Sequence, residues 1–277
     1  MPFTLAGNTF SFMWDRPVLK ALDALGALRL STFDVIVTPG HLWHNEIDGA
    51  GRSALKETLV ERGYTLESLN PPATDYNLAS LTSDVRELAI GMYTETINLA
   101  ADLGAKGVVV VPGRVSSLLP PPRDQLWGVL EDGIGQLAEH ARSKGLVLHL
   151  EVHPLTPVPT ARETLNLVER IASPAVGIAY DVANAEFIGE DLAEAIGMMG
   201  SHLTQIHLSD ATRTHWMHGG FGTGTVDLDA VMKALDNVRF AGAAVLEIIS
   251  NNPIRDFEES IARVSVAQTK QATGPSR

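Results

Sequence analysis

Four residues that could act together on a divalent cation each lie at the end of a short apolar run: Glu151, Asp181, His207 and Glu247. They are separated by 30, 26 and 40 residues, and each separation is close to the length of one strand-plus-helix unit. Three carboxylates and one imidazole make a set of mostly hard oxygen ligands, which suits Mn²⁺, Mg²⁺ or Co²⁺ better than Zn²⁺. Because converging carboxylates repel each other without a cation, we expect one divalent metal ion here, with Mn²⁺ favoured.

The apolar runs that precede these residues are rich in Val, Ile and Leu, which is typical of strands in a parallel sheet covered on both faces. We predict eight strands, at residues 3–10, 33–37, 64–69, 107–111, 146–150, 176–180, 203–208 and 243–249. Helical periodicity and helix-end residues predict helices at residues 83–103, 123–144, 160–171, 227–235 and 256–267. Thr160 and Glu163 have the spacing of a capping box.

Eight strands, each followed by a helix at about 35 residues per unit, predict an α/β protein built as a single (β/α)8 TIM barrel. A doubly wound sheet is disfavoured because no G-x-G-x-x-G sequence follows the first strand. The barrel is expected to occupy residues 1–270, and residues 271–277 are expected to form a flexible C-terminal tail. Since the carboxyl ends of barrel strands converge on one rim, the four candidate ligands should point into one cup.

Composition excludes several other classes of protein. The chain has 277 residues and a formal net charge of −12, which disfavours nucleic acid and anionic membranes as partners. The absence of Cys excludes disulfides, zinc fingers and thiol nucleophiles. No apolar run approaches the roughly 20 residues of a spanning helix, and the first residues lack a signal-peptide pattern. We therefore expect a cytoplasmic protein with a small-molecule, sugar-like substrate.

The sequences around the candidate ligands resemble the four ligand strands of the xylose isomerase-like TIM-barrel superfamily. These sequences are LEVHP at 150–154, YDVAN at 180–184, IHLSD at 206–210 and LE at 246–247. The run GTGTVD at 222–227 and the run AADLGA at 100–105 add to the resemblance. The superfamily holds sugar isomerases and epimerases, dehydroshikimate and inosose dehydratases, and the endonuclease IV branch.

The resemblance implies a metal-dependent isomerase or epimerase of a sugar or polyol ketone, which abstracts a proton next to a metal-bound carbonyl and passes through an enediolate. Glu151 and Glu247 would both bind the metal and serve as catalytic residues. Arg213 matches the position of a substrate-binding arginine in ketose 3-epimerases. From the aromatic and His residues that follow the first, second and seventh strands, Trp14 and His44 are expected to contact the substrate.

His153 supports an alternative function. Glu151 and His153 are two residues apart on an extended segment, so their side chains face the same way. This arrangement is similar to the dehydroshikimate dehydratase branch, where the equivalent His is a candidate base. The alternative is a metal-dependent dehydratase, a lyase of a cyclic polyhydroxy ketone such as 3-dehydroshikimate or an inosose, with His153 as a catalytic residue. A role in which His153 only orients a metal ligand stays open.

Two further functions are compatible with a barrel of this kind to different degrees. An endonuclease IV-like nuclease is disfavoured because the third strand ends without a His, because Asn184 stands where another ligand is expected, and because the chain is acidic. A non-catalytic carbohydrate-binding protein on the same barrel stays open, since a fold does not determine function. The family resemblance also suggests a homodimer or homotetramer.

Overall fold

A computed structural model describes residues 3–71, 76–116 and 118–273. Its strands are β1 (Thr4–Asn8), β2 (Thr32–Ile36), β3 (Thr65–Asn70), β4 (Gly107–Val110), β5 (Val147–Glu151), β6 (Val176–Asp181), β7 (Leu203–Leu208), β8 (Asp210–Thr212), β9 (His215–Gly219) and β10 (Ala243–Leu246). Strands β1 to β7 pair in chain order, and β10 pairs with both β7 and β1. All of these pairings are parallel, so the eight strands close into the predicted (β/α)8 barrel.

The helices lie between the strands and after the last of them. They are α1 (Val18–Gly26), α2 (Gly49–Glu61), α3 (Ser83–Leu103), α4 (Arg123–Ser143), α5 (Ala161–Ile171), α6 (Val182–Ile188), α7 (Leu192–Met199), α8 (Leu228–Asn237) and α9 (Pro253–Thr273). Short 3-10 helices occupy Phe10–Phe12 and Gly200–His202. No helix in the described ranges combines the length and apolarity that a membrane crossing requires. The last helix covers residues 271–273 of the expected tail, and residues 274–277 lie outside the described residues.

Burial of the strands on both faces explains their apolar sequences. Every residue of β2, β4, β6 and β10 is buried. The outer faces pack under the helices in one large apolar cluster, and the inner faces meet across the barrel. The eight predicted strands are therefore confirmed as elements, with shifts of a few residues at their ends.

Local sequence signals also place helix ends correctly. Gly104 follows α3 with a φ of 77°, a left-handed conformation that glycine adopts without the steric penalty of a Cβ atom. At the start of α5, Thr160 Oγ1 accepts a hydrogen bond from the Glu163 backbone N–H at 3.2 Å and donates to Glu163 Oε2 at 2.9 Å. The predicted helix start at Thr160 is confirmed, but the Glu163 carboxylate accepts from the Thr160 hydroxyl and not from its backbone N–H as in a full capping box.

The interior of the barrel is only partly apolar. Ala6, Ala243 and Val245 form a small apolar cluster there. Ser68 on β3 lies 3.2 Å from Gln205 on β7, and these two strands are not neighbours, so this contact crosses the barrel. A polar layer thus lies inside the barrel, one pleat below the rim where the candidate ligands are found.

The hairpin formed by β8 and β9 was not predicted. It is an antiparallel pair inserted between β7 and α8, with a register shift between Asp210 and Thr212. The hairpin contacts α6, whose first residue directly follows β6. Its short strands have an irregular apolar pattern, which gave no signal of period two in the sequence.

Candidate metal centre

The four candidate ligands converge at the carboxyl ends of their strands. Glu151 ends β5, Asp181 ends β6, His207 lies near the end of β7, and Glu247 directly follows β10. Each residue offers one ligand atom, these atoms all lie within 4.8 Å of one another, and all four residues are buried. From His207 Nδ1, the nearest carboxylate oxygens of Glu247, Asp181 and Glu151 are 3.3, 3.7 and 3.8 Å away.

Asp181 has two roles that use different oxygens. Its Oδ1 accepts a hydrogen bond of 2.7 Å from the Asn184 backbone N–H and so caps the N-terminus of α6. Its Oδ2 is buried and has no hydrogen-bond partner in the described structure, and the same is true of His207 Nδ1. A buried polar atom without a partner costs about 1–3 kcal/mol. A cation that accepts lone pairs from both atoms removes this cost, so the donor set fits a divalent metal ion.

The pKa values of the clustered side chains differ strongly from their ordinary values. Burial, together with the nearby Glu247, raises the pKa of the Glu151 carboxyl to about 8. Against the effect of burial, the neighbouring Glu247 and Asp181 hold the pKa of His207 well above its ordinary value. Burial raises the pKa of Glu247, but the neighbouring His207 and His218 outweigh this effect and hold it well below its ordinary value. A cation bound among these groups would displace protons and supply the positive charge itself.

His218 is a site residue whose position the sequence did not indicate. It lies on β9, and its Nδ1 is 3.3 Å from Glu247 Oε2 and 3.5 Å from Asp181 Oδ2. Burial lowers its pKa, but Asp181 and Glu247 outweigh this and raise it to about 9. In the sequence, His218 is one of several aromatic and His residues that follow the seventh strand, and nothing distinguishes it from the others. Its position over the site depends on the β8–β9 hairpin, which the sequence did not predict.

A cavity of about 550 Å³ opens above the cluster. Its polar lining includes Glu151, His153, Asn184, His218 and Glu247, and its apolar lining consists of Phe10, Met13, Trp14, Val111, Trp216 and Ile249. Asp181 and His207 do not line it, because they lie deeper and are fully buried. The cavity is therefore polar at its metal-ligand floor and largely apolar along its walls.

Side chains from β9, from α6 and from the segment after β5 pack together at one side of the cavity. Trp216 Nε1 donates to Asn184 Oδ1 at 2.7 Å, and its ring stacks on Phe187 with centroids 5.9 Å apart. The His153 ring meets the Trp216 ring edge-on at 5.3 Å. His153 Nδ1 accepts a hydrogen bond of 3.2 Å from the Leu155 backbone N–H. Burial, with the nearby His218, lowers the pKa of His153 to about 4, so its imidazole is neutral near pH 7.

The three residues expected to contact substrate have different positions. Trp14 lines the cavity and is 78% exposed. His44 is not brought to the cavity: it is buried in the segment after β2, with its ring centroid 4.2 Å from that of Trp43. Arg213 is not brought there either, because it lies at the hairpin turn with Nε 3.8 Å from Glu186 Oε1 and its side chain 64% exposed. The structure thus places Trp14, but neither His44 nor Arg213, in the lining of this cavity, and the substrate contacts of all three residues stay predictions.

Comparisons with known proteins identify the family of the chain and several relatives. A profile of the xylose isomerase-like TIM-barrel family matches residues 21–267. The chain is 25% identical over 196 residues to a fructoselysine 3-epimerase of Shigella flexneri, covering 68% of this chain and 67% of that protein. It is 26% identical over 244 residues to an inosose dehydratase of Geobacillus thermodenitrificans (78% and 80%), and 23% identical over 203 residues to a ketose 3-epimerase of Arthrobacter globiformis (72% and 68%).

Solved structures show the same fold. An L-ribulose 3-epimerase superposes with a TM-score of 0.82 at 19% identity, covering 99% of both chains. A D-tagatose 3-epimerase-like protein superposes with a TM-score of 0.83 at 18% identity, covering 97% of this chain and 100% of that one. The sugar epimerases among these proteins support the predicted enzyme of the sugar isomerase or epimerase type. With a family profile that spans nearly the whole barrel, the chain belongs to the xylose isomerase-like TIM-barrel family.

Proposed function

We propose that this protein is a divalent-metal-dependent epimerase or isomerase of a sugar ketone. The observation that carries the proposal is the buried cluster below the cavity, in which Asp181 Oδ2 and His207 Nδ1 have no hydrogen-bond partner among the described residues. The ligand types favour Mn²⁺, with Mg²⁺ and Co²⁺ as alternatives and Zn²⁺ less suited. When bound, such a cation polarises the substrate carbonyl and makes the neighbouring C–H more acidic.

The four ligands divide into two pairs. Asp181 and His207 lie below the cavity, so their role in the proposal is to hold the cation. Glu151 and Glu247 reach the cavity itself, from strands that β6 and β7 separate. Epimerisation needs one group to remove a proton from carbon and a second to return it on the other face. In the proposal Glu151 and Glu247 transfer these protons.

His153 distinguishes the leading function from the dehydratase alternative. The dehydratase hypothesis is supported by the sequence similarity to an inosose dehydratase, which extends over 244 residues. A catalytic base, however, needs an unprotonated nitrogen. Because His153 Nδ1 accepts the Leu155 N–H, the neutral ring carries its proton on Nε2 and is a hydrogen-bond donor. We therefore infer that His153 donates to a substrate oxygen, which favours the epimerase or isomerase.

One experiment separates the two functions. The purified protein is incubated with Mn²⁺ in D₂O, in parallel with ketoses, an inosose and 3-dehydroshikimate. We expect NMR to detect deuterium at one substrate carbon, with a new stereoisomer or positional isomer and no loss of water. Appearance of the ultraviolet absorbance of an enone or aromatic product would instead favour the dehydratase.

Two variants and a control test the catalytic residues. We expect Glu151→Gln and Glu247→Gln each to abolish deuterium exchange. Glu259→Gln is the matched control, because Glu259 is half exposed on α9 and pairs only with Arg255 in the described structure. Exchange that persists at the wild-type rate in both site variants would contradict the assignment. Assembly as a homodimer or homotetramer and a cytoplasmic location stay predictions, and sedimentation tests the first.

A further inference from the structure

A buried carboxylate on β2, Asp34, lies outside the ligand set but is connected to it. Asp34 is fully buried and accepts hydrogen bonds from Asn8 Nδ2 at 2.6 Å, Ser68 Oγ at 2.6 Å and Asn70 Nδ2 at 3.0 Å. A carboxylate is costly to bury, and this one lies inside the barrel below the site. Two of its hydrogen-bond donors, Ser68 and Asn8, connect it to the candidate ligands His207 and Glu247.

The first connection runs through Ser68 and Gln205 to His207. The Gln205 amide lies 3.2 Å from Ser68 Oγ through Oε1 and 2.9 Å from His207 Nε2 through Nε2. A serine hydroxyl has one proton, and Ser68 donates it to Asp34 over the shorter distance of 2.6 Å. We infer that Gln205 then donates to Ser68, which requires its amide to be turned by 180° from the orientation just described, with the nitrogen facing Ser68 and the oxygen facing His207.

This orientation of Gln205 determines the tautomer of His207. An amide oxygen facing Nε2 accepts a hydrogen bond, so Nε2 carries a proton. The lone pair of the neutral ring is then on Nδ1, which is the nitrogen that faces Glu247, Asp181 and Glu151. The hydrogen-bond chain that begins at Asp34 therefore presents His207 to the site in the form that binds a cation.

The second connection runs through Asn8 to Glu247. Asn8 Oδ1 accepts the Phe10 backbone N–H at 2.6 Å, so the other end of the amide is the nitrogen. Asn8 Nδ2 donates one proton to Asp34 Oδ2 and lies 3.3 Å from Glu247 Oε1. Glu247 is thereby held by Oε1, and its Oε2 is the oxygen that faces His207 and His218.

We propose that Asp34 is a positioning residue of the metal centre: it fixes the tautomer of His207 through Ser68 and Gln205, and it orients Glu247 through Asn8. The inference rests on the proposed function, since it requires that the cluster binds a metal ion. Asp34 does not touch the cation or the substrate. It is the shared acceptor that gives two hydrogen-bond chains their direction.

The test measures the dissociation constant for Mn²⁺ by calorimetry and the melting temperature without added metal. We expect Asp34→Asn to weaken Mn²⁺ binding by roughly 10–100-fold, the usual effect of losing a partner that orients a ligand. Ser68→Ala removes only one hydroxyl and should act in the same direction with a smaller effect. It keeps the test informative if Asp34→Asn folds poorly.

Thr96→Val is the matched control. Thr96 is buried on α3 and its hydroxyl donates to the Met92 backbone carbonyl, so the variant loses a buried hydrogen bond away from the site. We expect it to change the melting temperature but to change Mn²⁺ binding by less than about twofold. An equal loss of Mn²⁺ affinity in Thr96→Val would mean that general destabilisation explains the effect, and would overturn the proposal.

A double-mutant cycle tests the connections themselves. In an Asn8→Ala/Ser68→Ala background both chains are broken, so adding Asp34→Asn should no longer change Mn²⁺ affinity. An undiminished effect there would mean that Asp34 acts by charge alone, and would overturn the proposal. Equal binding by the wild type and Asp34→Asn would overturn this inference and leave the proposed function standing. Failure of the wild type to bind Mn²⁺ would overturn both.

Discussion

Asp181 Oδ2 and His207 Nδ1 lie 3.7 Å apart in the buried floor of the cavity, and neither atom has a hydrogen-bond partner in the described structure. The other oxygen of Asp181, Oδ1, accepts a hydrogen bond at the N-terminus of α6, and this bond orients the carboxylate so that Oδ2 faces His207. One residue thus connects the start of a helix to the candidate metal centre.

This relationship predicts a selective loss of metal binding in Asp181→Asn. The asparagine keeps an oxygen for the helix cap but puts an amide into the position of Oδ2, so we expect little loss of stability and at least tenfold weaker Mn²⁺ binding. Asp191→Asn is the control, because Asp191 caps α7 in the same way, through the Glu194 backbone N–H at 3.0 Å. Equal Mn²⁺ stoichiometry in both variants, measured by elemental analysis after dialysis, would exclude Asp181 as a ligand.

Metal removal should lower the stability of the protein. A ligand that binds only the folded state at 100 times its dissociation constant stabilises that state by about 2.7 kcal/mol. We therefore expect EDTA to lower the melting temperature and added Mn²⁺ to restore it. The double variant Glu151→Gln/Asp181→Asn should not respond to either reagent. A response of equal size in that variant would contradict the site.

Metal affinity should rise with pH. Burial, with the nearby Glu247, raises the pKa of Glu151 to about 8, so below pH 8 this carboxyl must lose a proton before it can bind a cation. The carboxylates beside His207 raise its pKa despite burial, so His207 must also lose a proton before it can bind a cation. Its deprotonation therefore increases the metal affinity as the pH rises. We expect the Mn²⁺ dissociation constant to fall about tenfold per proton released for each pH unit from 6 to 8. Calorimetry in two buffers of different ionisation enthalpy counts the protons, and an affinity independent of pH would contradict this account.

The convergence of the candidate metal ligands could be predicted from the sequence because it depends on local information. A parallel barrel brings strand ends to one rim, so apolar runs followed by Glu151, Asp181 and His207 are sufficient to place these residues together. The hairpin that brings His218 to the site has no such signal. It depends on a loop that folds over α6, and its strands are only three and five residues long.

The polar layer inside the barrel could not be predicted for a different reason. Ser68 and Gln205 are 137 residues apart and meet only because the barrel closes. In the sequence of β2, Asp34 is a single charged residue, and three of its neighbours in space come from other strands. Similarly, the sequence places His44 in the segment after the second strand, but only the folded structure shows that its ring packs on Trp43 and that it does not line the cavity.

Replacing His153 should separate hydrogen bonding to the substrate from metal binding. We expect His153→Ala to keep near-normal metal content and to lower kcat by about 10²–10³, the usual effect of removing one hydrogen-bond donor to a charge that develops in the reaction. His153→Gln, which retains an N–H donor, should recover part of this loss. If excess Mn²⁺ alone restores the activity of His153→Ala, then His153 orients a metal ligand instead.

Trp14 and His44 should differ in their effects on substrate binding. Trp14 lines the cavity and is 78% exposed, so a bound substrate can cover part of its indole ring. Covering that ring contributes about 1.5 kcal/mol, and we expect Trp14→Ala to raise KM roughly tenfold. His44→Phe keeps a ring against Trp43 and should leave KM unchanged within about twofold. A larger effect at His44 would show that the segment after β2 moves toward the substrate.

The barrel wall below the site should reject even one added methyl group at Gly107. This glycine begins β4, and a Cβ atom placed there would collide with His149 Nε2 and lie 2.5 Å from the Val147 carbonyl oxygen. His149 is itself held by a 2.8 Å hydrogen bond between its Nδ1 and Thr204 Oγ1, so it cannot move away freely. We expect Gly107→Ala to lower the free energy of unfolding by about 1–3 kcal/mol, the cost of overpacking a core.

Gly128→Ala is the control for the same chemical change. Gly128 lies within α4, and a Cβ atom there would meet no atom within 4 Å. Since alanine is favoured over glycine in a helix, this variant should be more stable than the wild type by about 0.5–1 kcal/mol. Urea unfolding of both variants measures the two signs. A neutral effect of Gly107→Ala would mean that His149 and the start of β4 can shift together, and that the polar interior below the metal centre is less rigid than its hydrogen bonds indicate.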